Sequence, residues 1–401
     1  MEKPQAFGIR LIQLRILHLG KYYPPAPGGI ESHVQTLARG QANLGHEVSV
    51  ICVNHADSSG RDITYSRWRR TRGFSQLDQG VHVNRVGRLF GINRLEVCPK
   101  LAGKIKEVSS RVDIVHLHTP NPLMLAAWLL AGEKKTPLVV THHSDVIKQR
   151  FLQKLVAPIE SRVYKSARLI LSDSPSYIEG SSVLQKFKDK VDVLPLGIDL
   201  EPFINPSINE QDEARKLQAT HGKPLWLMVG RMTYYKGYQV ALEALSHVEG
   251  RLIIVGNGPL EPELKAKAHR FGISDRIVWM PSVSQNQLVA LYHAATALWF
   301  PSIARSEGFG LVQVEAMACG CPVINTRIPG SGVSWVSLNE FTGLTIEVSN
   351  TKALAEAAEK IANSNLKRES YSRNGKFRAT EFFGSGKMAM DSIIKYTLAC
   401  G

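Results

Sequence analysis

The sequence predicts an α/β protein that consists of two doubly wound domains in tandem. Short apolar runs rich in β-branched residues alternate with helix-length segments through the first half of the chain, a pattern typical of parallel sheets covered by helices. The alternation restarts after the proline-rich stretch LPLGIDLEPFINP at 194–206. The length of 401 residues also suits two domains, since one domain usually has roughly 100–200 residues.

The first half contains seven predicted strands, at 15–19, 47–53, 81–86, 113–117, 138–141, 169–172 and 191–194, with helices at segments such as 30–43, 122–131 and 146–165. The second half contains six predicted strands, at 225–229, 252–255, 277–280, 297–300, 323–325 and 344–347, with helices at 236–246, 261–271, 284–294, 311–319 and 352–362.

The expected domains are 1–197 and 198–378, and a last helix within 379–401 is expected to pack back on the first domain. Doubly wound domains bind ligands at the carboxyl ends of their parallel strands. Two such edges facing each other form a cleft, so the sequence predicts the active site there.

The charge of the chain is basic and uneven. The formal net charge is +14, and residues 1–200 hold 28 Lys and Arg against 17 Asp and Glu, or +11, which leaves +3 for the remainder. A basic half suggests a partner with phosphate groups, such as an anionic membrane surface or a lipid phosphate; a solvated basic face is the alternative. No zinc finger, RNA-recognition signature or basic zipper is present, so nucleic acid is not expected.

Other features favour an enzyme of the cytoplasm. The longest apolar stretch, at 123–131, has about half of the ~20 residues that a spanning helix needs, and the N-terminus lacks the apolar core of a signal peptide. The five cysteines have irregular spacing, which indicates reduced thiols. Cys319 and Cys321 lack the further ligands that a metal site requires, so no metal is expected.

Three segments carry residues suited to a sugar-phosphate ligand. The first is PPAPGGIE, where Gly28 and Gly29 follow a strand and open a helix. Glycines there let the backbone approach a ligand closely, and a helix N-terminus favours phosphate. A plain strand-to-helix turn would look similar.

The second segment, GRMTYYKG, follows the strand at 225–229 and contains Arg231 and Lys236. Arginine can bind two phosphate oxygens at once and lysine adds a point charge. A diphosphate leaving group needs such cations, although two solvated surface charges would give the same pattern.

The third segment, SEGFGLVQVE, lies between the strand at 297–300 and the next helix. Gly308 and Gly310 permit a tight backbone whose amides can face an anion. Glu307 precedes the helix and Glu315 lies about one turn inside it, places where carboxylates can accept hydrogen bonds from pairs of sugar hydroxyls. The spacing of eight residues is not specific by itself.

Together these segments resemble glycosyltransferase family 4, a retaining family with the GT-B fold of two Rossmann-like domains. The run SEGFGLVQVEAMACGCPVI carries the most specific likeness, and VDIVHLHTPNPL, THHSD, LPLGID and VGNGP are also similar to segments of these enzymes. The resemblance covers about 20–380. It implies an acceptor-side first domain and a second domain that binds the nucleotide sugar.

The resemblance also implies roles for the residues at matching positions. Arg231 and Lys236 would bind the donor diphosphate, and Glu315 would hold the ribose hydroxyls. Glu307 would contact the donor sugar, assisted by backbone amides of the stretch Gly308, Phe309, Gly310 and Leu311.

Two further positions match in the first half of the chain. Gly29, with Gly28 beside it, would approach the diphosphate. His143 matches the histidine that lies beside the reacting sugar and phosphate, and His142 is the adjacent alternative, for which a core or solvated role is expected. His116 and His118, which alternate on a predicted strand end, are expected to line the acceptor cleft rather than to bind metal.

The implied reaction is transfer of a hexose from a nucleoside diphosphate sugar to a hydroxyl acceptor with retention, no metal and no additional cofactor. The likeness is greatest to bacterial mannosyltransferases of polysaccharide and lipopolysaccharide assembly, so GDP-mannose is the expected donor, with UDP-glucose or UDP-N-acetylglucosamine as the alternative.

A polyprenyl-linked glycan acceptor, and a peripheral position on the inner face of the membrane, would suit the basic half. A GT-B-shaped epimerase, a phosphorylase or a non-catalytic binding protein are the competing classes.

Overall fold

The computed structural model describes residues 13–55, 70–92, 95–145 and 150–400. Ten strands occur in the first half of the chain: β1 Arg15–Leu19, β2 Glu47–Val53, β3 Phe74–Asp78, β4 Val81–Val86, β5 Phe90–Ile92, β6 Leu95–Val97, β7 Ile114–Thr119, β8 Leu138–His142, β9 Leu169–Ser172 and β10 Val191–Val193. Five helices accompany them: α1 Gly29–Asn43, α2 Leu101–Ser109, α3 Pro122–Ala131, α4 Arg150–Ser166 and α5 Pro175–Gly180.

The first sheet contains eight strands in the order β10-β9-β8-β7-β1-β2-β4-β3. One edge of this sheet departs from the parallel arrangement that the sequence predicts, because β3 pairs antiparallel with β4. Gln79 and Gly80 join the two strands and both have positive φ, 47° and 85°, as a two-residue hairpin requires. The strand β3 was missed because its alternating polar residues do not form an apolar run. A small antiparallel pair, β5 and β6, was missed as well.

The second half of the chain folds around a six-stranded, wholly parallel sheet. Its strands are β11 Leu225–Val229, β12 Arg251–Val255, β13 Ile277–Met280, β14 Ala297–Phe300, β15 Val323–Arg327 and β16 Gly343–Glu347, in the order β13-β12-β11-β14-β15-β16. The predicted strands agree with these to within two residues at each end. The chain changes sheet between Val193 and Leu225, an interval that contains the proline-rich stretch.

Helices cover both faces of this second sheet: α6 Glu201–Ile204, α7 Ile208–His221, α8 Tyr238–Leu245, α9 Glu261–Arg270, α10 Gln285–Ala294, α11 Leu311–Ala318, α12 Val333–Val336, α13 Thr351–Ala362 and α14 Asn365–Phe383. The last helix of the chain is α15 Ser385–Cys400. Side chains alternate between the faces along each strand. Leu225 and Leu227 therefore pack toward α10, α11 and α14, whereas Trp226 and Met228 pack toward α8, α9 and α13.

Two compact units divide the chain. One comprises Met1–Thr141, Gln149–Ile170 and Ala389–Gly401, and the other comprises His142–Lys148 and Leu171–Met388. The last helix begins at Ser385 rather than near 379, because α14 continues to Phe383. Most of α15 belongs to the first unit, where Gln41 of α1 donates hydrogen bonds to Ser392 and Tyr396. Within the described residues, no helix combines the length and the apolarity that crossing a membrane demands.

Candidate active site

A tight turn at the carboxyl end of β11 places Arg231 and Lys236. Gly230, which follows the strand, has φ 142°, and its carbonyl accepts a 2.6 Å hydrogen bond from the Tyr238 hydroxyl. Gly237 has φ 71°, and a Cβ there would overlap the Pro301 carbonyl. Only glycine fits at Gly237. The turn therefore fixes the backbone on both sides of Lys236, while the Arg231 side chain is exposed.

The loop after β14 presents Glu307 to the same edge of the sheet. Ser331 Oγ donates a 2.5 Å hydrogen bond to the Glu307 carbonyl, and the Gly332 amide donates one of 2.8 Å to the Gly308 carbonyl. Gly310 begins α11 with φ 83°, and a Cβ there would lie 2.6 Å from the Phe300 ring. The loop is thus held through its backbone carbonyls, and these bonds do not use the Glu307 carboxylate.

Lys236 and Glu307 form an ion pair, with Lys236 Nζ 2.6 Å from Glu307 Oε2. The two side chains are only 14% and 11% exposed, so water and salt screen the attraction between their charges less than in a surface salt bridge. Lys236 Nζ also lies 4.9 Å from the centre of the Phe300 ring. An ammonium has three donors, so Lys236 can bind Glu307 and phosphate oxygens together. The two residues predicted to meet the diphosphate and the sugar are therefore neighbours.

The stretch from Gly308 to Leu311 contributes backbone rather than side chains. Phe309 is 3% exposed, and its ring packs edge-on against Phe383 at 5.6 Å. Gln313 of α11 donates a 2.9 Å hydrogen bond to the Phe309 carbonyl. A ligand role for this stretch would therefore come from its amides at the start of α11, and it stays a prediction.

Glu315 lies in α11 about one turn beyond Leu311. Burial raises the pKa of its carboxyl, while the hydrogen bond from Tyr292 and the charge of Lys236 act in the opposite direction. Tyr292 donates that bond over 2.7 Å to Glu315 Oε2. The influence of Lys236 shows that both glutamates of the motif lie within the field of one cation.

Gly28 and Gly29 lie in the first unit, at the carboxyl end of β1. Gly28 precedes α1, and the Glu31 side chain occupies the position that a Cβ of Gly28 would need. A Cβ at Gly29, by contrast, would meet no atom within 4 Å. Packing within the protein therefore does not explain glycine at position 29.

Gly29→Ala is accordingly expected to leave the melting temperature unchanged and to raise the apparent donor KM, because the added methyl group meets only a bound ligand. Thermal unfolding and initial-rate kinetics test this. Gly103, in α2, also has open space around it and provides the control substitution Gly103→Ala. If both variants have the donor KM of the original chain, the hypothesis that a ligand closely approaches Gly29 is wrong.

The two histidines of THHSD have different environments. His142 ends β8, is 1% exposed, and its Nε2 lies 2.9 Å from Asp145 Oδ1. His143, the next residue, is half-buried and follows the strand. The burial of His142 fits the core role expected for it, while a catalytic role for His143 stays a prediction.

Asp145 and Arg305 form an ion-paired network beside the candidate site that the sequence did not reveal. Arg305 forms a 2.7 Å ion pair with Asp145 Oδ2, donates a 2.6 Å hydrogen bond to the Gly330 carbonyl, and stacks on the Tyr177 ring at 4.4 Å. Ser181 donates a 2.9 Å hydrogen bond to Asp145 Oδ1. The network joins the histidine segment to the loop that carries Glu307. Asp145 stands within THHSD and Arg305 two residues before Glu307, which is the signal that could have indicated them.

Removal of the Asp145 charge is expected to destabilise this network. Burial by itself would raise the pKa of Asp145, but the hydrogen bond from His142 and the charges of His142 and Arg305 outweigh it and hold the pKa below its usual value. Asp145→Asn should therefore cost about 1–3 kcal/mol at neutral pH, since it leaves a part-buried guanidinium without its carboxylate.

Thermal melts of Asp145→Asn across pH test this expectation. A lowered folded-state pKa contributes stability above the unfolded-state pKa of about 3.9 that is lost as the pH falls through the folded-state value. The difference from the original chain should thus narrow in acid. Arg327→Gln breaks the exposed Arg327–Glu347 pair and should have almost no effect. Equal decreases in melting temperature in the two variants would show that the Asp145 network stabilises the protein no more than the exposed Arg327–Glu347 pair does.

Asp173 is a further unpredicted acid near this loop. Burial raises its pKa to about 8, against the opposing hydrogen bond from Ser174 and the charge of Arg305. Its Oδ2 would lie 3.6 Å from a Cβ at Gly308. At neutral pH Asp173 is therefore mainly a neutral carboxylic acid beside the Glu307 loop.

His116 and His118 are buried in the first unit, at 0% and 1% exposure, so the expectation that they line a cleft is wrong. Tyr396 of α15 lies 2.5 Å from His116 Nδ1, and Thr141 lies 2.6 Å from His116 Nε2. His118 Nε2 is 3.0 Å from His18 Nδ1. Together with His18 they form a cluster of three imidazoles with nitrogen atoms close together. Hydrogen bonds and ring contacts in this cluster link β1, β7 and α15.

Comparison with known proteins shows which family this chain belongs to. The model of Glycosyltransferase Family 4 matches residues 27–202, and the model of Glycosyl transferases group 1 matches residues 209–378. The O-antigen chain mannosyltransferase C of Escherichia coli is 30% identical over 96% of this chain and 98% of its own length. The chain belongs to glycosyltransferase family 4.

This family 4 glycosyltransferase also resembles the D-rhamnosyltransferase WbpZ of Pseudomonas aeruginosa, with 34% identity over 70% of this chain and 72% of WbpZ. Among solved structures, Anabaena Alr3699/HepE in complex with UDP matches with a TM-score of 0.75, 20% identity, and coverage of 96% of this chain and 100% of that one. The predicted fold class is confirmed: the protein has the GT-B fold, with two Rossmann-like domains.

Proposed function

We propose that this glycosyltransferase transfers a mannosyl residue, or a related deoxyhexosyl residue, from a GDP-sugar to a hydroxyl of a glycan in cell-surface polysaccharide assembly. The two relatives described above, which are named as an O-antigen mannosyltransferase and a rhamnosyltransferase, support this choice. The single observation that carries the proposal is the grouping of Lys236, Glu307 and Glu315 at the carboxyl edge of the second sheet.

The reaction retains the configuration at the anomeric carbon. The departing diphosphate accepts the proton of the acceptor hydroxyl as that oxygen attacks from the same face of the sugar. Lys236 and Arg231 stabilise the charge that develops on the diphosphate, which is the work that a metal ion performs in other enzymes. We therefore expect transfer without a metal. His143 lies beside the reacting sugar and phosphate, and Glu307 orients the sugar.

The acceptor is a glycan carried on a polyprenyl diphosphate, and the protein works peripherally at the cytoplasmic face of a membrane. The support is the uneven charge, with +11 in residues 1–200 and +3 in the remainder. Each basic residue near an anionic surface contributes about 1 kcal/mol, and salt screens the attraction.

A donor panel tests the proposed reaction. Calorimetry with GDP, UDP, GDP-mannose, UDP-glucose and UDP-N-acetylglucosamine should give the tightest binding for the guanine ligands. NMR of the product should show an α-anomer from an α-linked donor, and added EDTA should leave the rate unchanged. A preference for UDP ligands would replace the donor assignment, an inverted product would refute the mechanism, and loss of activity in EDTA would refute metal independence.

A non-catalytic binding protein is the main competitor. It would bind a nucleotide sugar without hydrolysing or transferring it, whereas an epimerase would return an altered nucleotide sugar. The family membership and the paired Lys236 and Glu307 favour transfer. Mass analysis of the donor after incubation separates the three outcomes.

A further inference from the structure

A second candidate site lies within the first unit, at the carboxyl end of β4. It is a cavity of about 620 Å³, a size that suits a small ligand. Its walls come from residues 70–75, from residues 84–89 at the end of β4, and from Pro99, Lys100 and Lys104 at the start of α2. Because β4 is parallel to β2, and β2 to β1, the cavity opens at the edge where doubly wound sheets bind ligands.

The side chains around this cavity carry one sign of charge. Of the fifteen described residues that line it, none is acidic and six are basic: Arg70, Arg72, Arg85, Arg88, Lys100 and Lys104. Ion pairs satisfy two of these, since Arg88 binds Glu96 and Lys104 binds Glu107. Within the described part of the chain, Arg70, Arg72 and Lys100 form no ion pair. Walls of one charge concentrate counter-ions in a concave site.

Arg85 forms the fixed, buried part of this wall. It is 2% exposed and lies between the rings of Tyr23 and Phe74, each 5.8 Å from its guanidinium carbon. Its terminal nitrogens donate hydrogen bonds to the carbonyls of Tyr23 and Pro24, and Nε has no hydrogen-bond partner among the described residues. A buried cation bonded only to neutral carbonyls favours an anion nearby.

The same hydrogen bonds connect the cavity with the turn after β1. Tyr23 and Pro24 belong to the loop that leads into Gly28 and Gly29, the glycines expected to approach the donor diphosphate. A ligand in the cavity therefore lies one loop away from a segment assigned to the reaction, on the unit that the family resemblance makes the acceptor side.

We infer that this cavity binds a phosphate or diphosphate ester that belongs to the acceptor. Arg72 and Lys100, which are exposed at the cavity, supply mobile donors for phosphate oxygens, and Arg85 supplies a fixed positive charge. Only the assignment of the phosphoryl group to the acceptor rests on the proposed function. Binding of the phosphoryl group itself follows from the cavity and its charges.

The test measures binding of inorganic pyrophosphate by calorimetry at low salt. All proteins carry Arg231→Ala and Lys236→Ala, so that the proposed donor site does not contribute. The cavity variant adds Arg72→Glu and Lys100→Glu. The control variant adds Lys134→Glu and Lys135→Glu, which change the net charge equally. These two lysines are exposed and lie just before β8, a strand on the other side of β1 from β4.

The cavity variant should bind pyrophosphate at least 10-fold more weakly than the parent protein, while the control should remain within about 2-fold, because only close charges act strongly through screening salt. Equal losses in both variants would reduce the effect to overall charge and overturn the inference. Absence of pyrophosphate binding by the parent protein would overturn it as well. Neither result depends on sugar transfer, so failure of the proposed donor would leave this inference standing.

Vesicles distinguish the source of the phosphoryl group. Phosphatidylcholine vesicles with and without about 20 mol% phosphatidylglycerol are sedimented with the cavity and control variants. If the cavity variant loses vesicle binding as well as pyrophosphate binding, the phosphoryl group is a lipid headgroup of the bilayer, and its assignment to the acceptor is overturned. If vesicle binding is the same in both variants while pyrophosphate binding is lost, it is a discrete phosphoryl group of the acceptor molecule.

Discussion

Lys236→Ala is expected to lower kcat/KM by about 10²-fold or more, because it removes a cation that stabilises the departing diphosphate. Arg231→Ala should have a loss of the same order. The two variants should differ in stability. The exposed Arg231 makes no ion pair among the described residues, whereas Lys236 binds Glu307 at 2.6 Å. Because Lys236→Ala leaves the part-buried Glu307 carboxylate without its cation, this variant should also have a lower melting temperature.

The control for this prediction is Lys265→Ala, which breaks an exposed ion pair with Glu261 on α9 of the same unit. It should change neither the rate nor the melting temperature appreciably. Lys236→Arg keeps the charge and should recover part of the stability. Near-normal turnover in a folded Lys236→Ala protein would show that the diphosphate does not bind at this turn.

The second large effect separates the two glutamates of the motif. Glu307→Gln should lower kcat while leaving the affinity for bare nucleoside diphosphate nearly unchanged, because Glu307 orients the sugar as charge develops. Glu315→Gln should weaken nucleoside diphosphate binding and raise the donor KM, because its bonds to the ribose hydroxyls are similar in the substrate and the transition state. Calorimetry with GDP on both variants decides the matter. A loss of GDP affinity in Glu307→Gln as large as in Glu315→Gln would refute this division.

The raised pKa of Glu315 adds a pH signature to that experiment. Burial favours the neutral carboxyl, which accepts hydrogen bonds from hydroxyls more weakly than the carboxylate does. As the pH is lowered, GDP affinity should therefore begin to fall at a higher pH than it would if Glu315 had the pKa of an ordinary glutamate. Glu315→Gln removes this component and leaves only the titration of the phosphate groups. Parallel pH profiles for the original chain and Glu315→Gln would exclude Glu315 as the titrating group.

The sequence by itself determined the fold class and indicated which segments are candidates for donor binding. Short apolar runs separated by helix-length segments placed the strands of both sheets except β3, because buried parallel strands are continuous apolar runs that stand out from their surroundings. Glycines at the ends of β11 and β14 marked turns that accept no side chain. These local signals, with the family resemblance, were sufficient to select Arg231, Lys236, Glu307 and Glu315.

Only the tertiary structure decided which partners these residues have. Lys236 and Glu307 are 71 positions apart in sequence, and no spacing rule predicts that their charges meet within 2.6 Å. Asp145 and Arg305 are likewise paired only because two distant loops come together, and the basic cavity is assembled from three separate segments. The physical reason is that sequence patterns report each residue's own backbone and burial, whereas the charge, pKa and hydrogen bonds of a site depend on which distant residues the packing brings within a few ångströms.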